Sequence, residues 1–489
     1  MNKSLIVPTL KNAFLIFLAI VLCRVTRGYF APVLALAGVL WSLTNKIGYA
    51  LCMFALLPFL VNINPQLLPK DNPVLSISLR GGVLMIGLSL ALVSARRTGS
   101  FRLPFATIVP YLFVAAISSV GGWAPTISFL KMINFVVFLL GLWYGTQNMQ
   151  NRPMDIDVMR HYFMGLSFVL IAGSFALMPF PAISYATSLS YAFAEGGVEQ
   201  AEEAFKILRA DGMQTLFCGI TSHSQALAPL MVCSLGWLMC DMIFVERRFE
   251  LMHLFLIVLG IPLLYMTRSR VALFATVIMF AVIYWYAGKK IYLPRRIKRK
   301  LGHGMILLGL LMVVGAVVLE IRSDAISGWM RKTNNVHGDN RSLGEAITSS
   351  RMGVIEDNMY DFRRNPLIGS GFQVAERTAY QASKKGGFVL SSPIEKGVLP
   401  AMLLGETGVI GVVAFICFVV TFFAACAKKQ CYVTPTLLLV FFATNMGEAT
   451  FFSPGGVGGM QWMFCVAGGF VIDTAVRIRH DVIVQFDTY

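Results

Sequence analysis

Long apolar runs, broken by short polar connections, occupy most of the chain. A helix needs about 20 apolar residues, rising about 1.5 Å each, to cross a bilayer. By that measure the sequence predicts spans near 12–26, 28–44, 47–64, 74–95, 103–121, 125–146, 158–180, 215–243, 249–266, 270–288, 302–321, 398–424, 432–448 and 458–477. The run before Arg24 is short for a full crossing, so the first two are read as separate spans, a broken hairpin or one tilted element. The pattern predicts an all-α fold, a polytopic transmembrane helical bundle of about 12–14 spans. Each span satisfies its own backbone and then packs laterally, so residues 1–489 are expected to form a single integral membrane domain.

Two polar connections are longer than the rest. In 181–214, Glu199, Glu202, Glu203, Lys206 and Arg209 fall at helical spacings, which predicts a short amphipathic helix on the membrane surface. The stretch 322–397 is richer in Arg and acidic residues, contains Pro366 to Phe372, Glu395 and Lys396, and leads into an apolar helix with Gly408 and Gly411. A loop this long between two spans is more than a connector needs. It is expected to carry short helices around Ser350 to Arg364 and to hold the chemistry.

Composition agrees with this picture. The 489 residues are 56% hydrophobic and 13% charged, against about 25% charged in soluble domains. The net charge of +16 does not point to nucleic acid, because the Lys and Arg residues cluster in short loops beside apolar runs. Arg96, Arg97 and Arg102, then Arg152, Arg247 and Arg248, the run from Lys289 to Lys300, and Lys428 and Lys429 all fall on one side if the spans alternate. The positive-inside rule makes that side the cytoplasm, together with both termini. The loops 181–214, Thr267 to Ser269, 322–397 and Phe451 to Gly459 then share the opposite face. Seven of the nine cysteines lie in or beside apolar segments and read as small lipid-compatible side chains. Cys426 and Cys431 fall in a connection assigned to the cytoplasm, where a disulfide is disfavoured. No Walker loop or dinucleotide fingerprint is present, which argues against an ATP-driven pump.

Charges inside spans are the informative exceptions. Arg80 and Lys131 each lie about six residues, roughly 9 Å, inside a helix end. Such residues either snorkel to the interface or face a cavity or a partner. Arg209, Arg268, Arg270 and Arg351 belong to the same membrane face, and six cations at one level suggest an anionic ligand. Guanidinium forks match phosphate oxygens bidentately, so a lipid-linked diphosphate is the natural one. Glu406 is read as a structural partner for an intramembrane cation, and Glu448 stays ambiguous.

An ordered set of these residues resembles a family. Arg209-Ala-Asp-Gly212 before an apolar span, Ser269-Arg270, Ser350-Arg351, Asn365-Pro366-Leu367-Ile368-Gly369-Ser370-Gly371-Phe372 and Gly408-Val-Ile-Gly411 look like the O-antigen ligase and O-antigen polymerase superfamily. The resemblance implies a multi-pass protein of the bacterial inner membrane that works at its periplasmic face. It further implies an inverting, metal-independent glycosyltransferase without a cofactor, taking an undecaprenyl-diphosphate-linked glycan donor and a glycan acceptor. Membrane lipid, a flippase and a chain-length regulator would be its partners. Arg209, Arg268, Arg270, Arg351 and Lys396, with Arg80 and Lys131 as a further layer, would hold the diphosphate. Many members begin the helix after the long loop with His-Asn, but counting back from Gly408 reaches Gly397 here. Glu395 is therefore the expected base rather than a carboxylate that merely faces a helix dipole. His337 is the second base candidate, and His223 is expected only to hydrogen-bond near a span entrance. Polymerisation of repeat units is the leading expectation, ahead of ligation to lipid A core. A lipid-linked glycan flippase is the alternative of a different class, but no duplicated halves are visible. The peptidoglycan glycosyltransferases of the SEDS type fit the motif order less well.

Overall fold

The computed structural model describes residues 5–69, 72–94, 104–150, 152–186, 216–247, 250–289, 355–374, 398–429, 431–447 and 449–487. In chain order the helices are α1 (Ile6–Val25), α2 (Ala31–Leu43), α3 (Ile47–Asn62), α4 (Pro73–Ser94), α5 (Val109–Val120), α6 (Pro125–Met149) and α7 (Pro153–Ala176). They are followed by the strands β1 (Tyr185–Ala186) and β2 (Leu216–Phe217), then α8 (Ser224–Cys240), α9 (Leu251–Met266) and α10 (Arg270–Lys289). Next come α11 (355–364), α12 (Leu399–Lys428), α13 (Val433–Asn445), α14 (Val457–Trp462) and α15 (Gly469–Asp487). Seven of these helices or helix runs are long and apolar enough to cross a membrane, and six more are shorter apolar helices. Among the described residues the fold is an all-α bundle apart from the two-residue strands. Proline opens α4, α6 and α7 at the first turn, where its missing N–H has no helical partner to lose.

The first two apolar stretches are separate helices, α1 and α2, joined through a left-handed Arg27-Gly28 pair. α1 begins at Ile6, earlier than its hydropathy predicts, because Asn12 turns its amide onto the Pro8 carbonyl at 2.9 Å and so fits inside the helix. The predicted span at 302–321, the amphipathic helix at 199–209 and most of the loop 322–397 lie outside the described residues. Of the short helices expected around Ser350 to Arg364, α11 is described.

The chain divides into two compact units. One contains α1, most of α7, the strands and α8 to α10. Its centre is α8, buried along its whole length, against which α9 packs closely at Gly260, where a Cβ would lie 2.9 Å from Leu235 Cδ2. His223 caps α8, its Nδ1 accepting from the Ala226 N–H at 2.7 Å, as expected of it. A π-helical turn, Asp241–Glu246, follows α8 and places Asp241 2.9 Å from His253 on α9, both fully buried.

The second unit contains α2 to α6 and α11 to α15. Its core is aromatic. Phe451 and Phe452 stack among Tyr111, Phe135, Phe415, Phe441 and Trp462, with ring centroids 4.7–6.0 Å apart. Asp473 on α15 opens α13, accepting from the N–H groups of Tyr432, Val433 and Thr434 and from Thr434 Oγ1 at 2.8–3.1 Å. These donors would otherwise be orphans of a helix start. Asp473→Ala is expected to destabilise the unit by about 2 kcal/mol or more, and Asp473→Asn by less. Thermal melts of the detergent-solubilised protein check this; equal melts for Asp473→Ala and wild type would contradict it.

Candidate functional site

The predicted cation sites can be followed residue by residue. In the first unit, the turn Thr267 to Arg270 joins α9 to α10. Thr267 closes α9 through a 2.7 Å bond from its hydroxyl to the Leu264 carbonyl, and Ser269 opens α10 by accepting from the Ala272 N–H at 3.4 Å. Arg268 between them is left-handed, with φ of 54°, a conformation that costs a non-glycine residue about 1 kcal/mol or more. The turn therefore holds two guanidinium groups at one helix junction, at some cost in backbone strain. Arg268 Nη1 and Arg270 Nε are buried and have no hydrogen-bond partner among the described residues. Burial lowers the pKa of Arg268 from its ordinary value, while Tyr265 and Tyr185 push it back up; the group stays charged. Tyr185, paired with Phe217 across the β1–β2 ribbon, is raised by burial and lowered by Arg268.

In the second unit the two glycine motifs are brought together. α12 is broken at Gly408, whose φ of 63° and ψ of −168° belong to glycine alone. The break removes the helical pairs that Val409 and Ile410 would make with Gly405 and Glu406. The Pro366–Gly371 segment replaces them on both sides. Ser370 and Gly371 donate to the Gly405 and Glu406 carbonyls at 2.9 and 3.0 Å, while Val409 and Ile410 donate to the Pro366 and Leu367 carbonyls at 2.9 and 3.2 Å. The approach needs glycine at 369 and 408, since a Cβ at either would lie 2.4 Å from backbone atoms of the other segment. Both sides of the junction are also held from α5 and α6: Ser128 on α6 donates to the Phe372 carbonyl, just past the segment, at 2.7 Å, and Ser118 on α5 donates to the Glu406 carbonyl of α12 at 2.5 Å. Arg364 at the end of α11 lies over the rings of Trp123 and Tyr360, at 5.0 and 4.9 Å.

Lys131 does not snorkel. It is 3% exposed, and its Nζ donates to the Gln373 carbonyl at 2.9 Å. Glu406 accepts from the N–H of the same residue at 2.9 Å. Gln373 is thus gripped on both backbone groups, in a left-handed conformation, and its side-chain amide donates to the Phe452 carbonyl. Arg80 is different. It is partly buried on α4 and has no hydrogen bond or ion pair among the described residues. Arg209, Arg351, Glu395, Lys396, His337 and Glu448 lie outside the described residues.

Sequence reasoning missed Gln373, the Asp241–His253 pair and the Asp473 cap. The first has no signature, because its partners act on its backbone. The other two join residues on different helices, and no local spacing connects them. Among the described residues no cluster of three or more His, Cys, Asp or Glu could hold a metal ion.

These features define a class, a helical-bundle membrane protein with an interrupted helix and charged residues within its spans. Compared with models of known protein families and with characterised proteins, the chain matches none.

Proposed function

We propose that the protein is an inverting glycosyltransferase of the bacterial inner membrane, which polymerises undecaprenyl-diphosphate-linked repeat units at the periplasmic face. The observation that carries this reading is the Thr267–Arg270 turn, with two guanidinium groups and buried N–H donors lacking partners among the described residues. Arginine forks of this kind match the oxygens of a diphosphate. In the reaction, the acceptor hydroxyl attacks the anomeric carbon and gives its proton to Glu395. The bond from that carbon to the diphosphate breaks, and the lipid diphosphate leaves with the electron pair. Arg268 and Arg270, joined by Arg209 and Arg351, stabilise the charge that develops on it. Both termini and the basic loops would face the cytoplasm, with about 12–14 spans.

A helix broken inside a span is also how secondary transporters build ion sites from freed backbone groups. Here the Pro366–Gly371 segment takes those groups at Gly405, Glu406, Val409 and Ile410, which favours a fixed scaffold over a transport site.

Replacing both arginines, Arg268→Gln with Arg270→Gln, is expected to lower polymer formation by a factor of about 100 or more at normal membrane abundance. A lipid-linked single repeat should accumulate, as seen in the glycan and lipid profile of cells carrying the variant. Full-length polymer that stays on the carrier would instead favour ligation, and a normal profile would remove the turn from the reaction.

A further inference from the structure

α4 and α6 run parallel in one register. A Cβ on Gly141 would lie 2.5 Å from Gly87 Cα, and the Asn148 amide donates to Ser94 Oγ at 3.2 Å. From 87 to 94 and from 141 to 148 the step is the same seven residues on each helix, two turns of a parallel pair. One equal step back places Arg80 level with Asn134. Lys131 lies one turn nearer the start of α6 and is occupied by Gln373.

Arg80 and Asn134 are incomplete in complementary ways. The Arg80 guanidinium has no hydrogen bond or ion pair among the described residues, and Asn134 Oδ1 is a buried acceptor with no donor among them. Within a span, both an uncompensated guanidinium and a buried acceptor without a donor are unfavourable. Gly455 lies against Arg80, where a Cβ would be 3.6 Å from Arg80 Cγ in ordinary contact, and next to it a Cβ on Gly456 would meet nothing within 4 Å, as would one on Gly81, the neighbour of Arg80 on α4.

The diglycine is held in place by its surroundings. Asn445 Oδ1 accepts from the N–H groups of Thr450 and Phe451 at 2.7 Å, Gln461 bonds to Thr444 and Thr450, and Ser453 donates to the Thr450 carbonyl at 2.9 Å. The opening at Gly455 and Gly456 therefore follows directly on a braced connection.

An anion would complete Arg80, and a hydroxyl would complete Asn134. We propose that Arg80, Asn134 and the Gly455–Gly456 opening form a binding site for a lipid-borne phosphate ester whose adjoining group carries hydroxyls. Two membrane molecules have that chemistry, a polyol phospholipid such as phosphatidylglycerol and a lipid-linked sugar diphosphate. Phosphatidic acid supplies the phosphate without the hydroxyls. Phosphatidylethanolamine would bring a second cation to Arg80 and is disfavoured.

The full-length protein, delipidated in detergent and re-equilibrated with each lipid, tests the site when retained lipid is measured by mass spectrometry. The lipids are phosphatidylglycerol, phosphatidic acid and a polyprenyl-diphosphate-linked N-acetylhexosamine. Arg80→Gln is expected to weaken binding of all three by about tenfold. Asn134→Leu is expected to weaken the two hydroxylated lipids by about tenfold and to leave phosphatidic acid unchanged. Gly456→Leu, which fills the opening, should weaken all three, and Asn134→Ala serves if leucine prevents folding. Wild-type binding by Arg80→Gln, or an equal change for all three lipids in the Asn134 variant, overturns the proposal. Tighter binding of the sugar diphosphate than of phosphatidylglycerol would identify the donor as the occupant; the reverse order would identify a bilayer phospholipid, and either supports the site. The inference rests on the transferase reading only in drawing its ligand from the membrane. Normal polymer from a variant that has lost lipid binding would end the catalytic use of Arg80 and leave the site standing.

Discussion

Gly408→Leu is expected to abolish the folded protein, with a loss of at least about 3 kcal/mol and little monodisperse material after solubilisation. Two costs combine. The backbone at 408 is one that only glycine adopts without strain, and a Cβ there would lie 2.4 Å from the Leu367 carbonyl carbon and oxygen. Neither atom is the tip of a flexible side chain, so the helix and the Pro366–Gly371 segment would have to separate. Separation would leave the carbonyls of Gly405 and Glu406 and the N–H groups of Val409 and Ile410 without partners in an apolar setting. Gly81→Ala is the matched control, because its Cβ meets nothing within 4 Å inside a helix. It should be neutral or stabilise by up to about 1 kcal/mol. Similar thermal melts for Gly408→Leu and wild type would mean that the break is not required.

Lys131→Met is the second large effect, with an expected loss of about 3 kcal/mol or more. The ammonium and the Glu406 carboxylate hold opposite backbone groups of Gln373, so the methionine variant orphans a carbonyl and leaves a buried carboxylate short of positive charge. Glu406→Gln should cost less, since its amide oxygen still accepts from the Gln373 N–H. The double variant is expected to cost less than the sum of the two. Additive losses in thermal melts would show that the two charges act independently.

How far the sequence reveals this molecule depends on which groups make each contact. Apolar runs mark most of the described helices, because a span announces itself through composition. The break in α12 is harder to read: Gly405-Glu406-Thr407-Gly408 interrupts the apolar run, but a polar tetrapeptide inside a span does not by itself say that the helix is broken there. Pro366 to Phe372 and Gly408 to Gly411 stood out as motifs, yet nothing in their spacing says that one pairs with the other. The Thr267–Arg270 turn is legible as a pair of cations, but not the left-handed Arg268 or the buried N–H groups. Lys131 was legible as a charge inside a helix, whereas its partner, a main-chain carbonyl, carries no residue signature. The β1–β2 ribbon is two residues long, too short for any periodicity.

The pairing at Gly408 also bears on biogenesis. A half-helix entering the bilayer with open carbonyl and amide groups would be held back by several kcal/mol for each. In this chain the complementary segment, Pro366 to Gly371, is translated before α12 and is available as that helix emerges from the ribosome. The order of the motifs lets the interruption be filled during membrane insertion, without waiting for any later part of the chain.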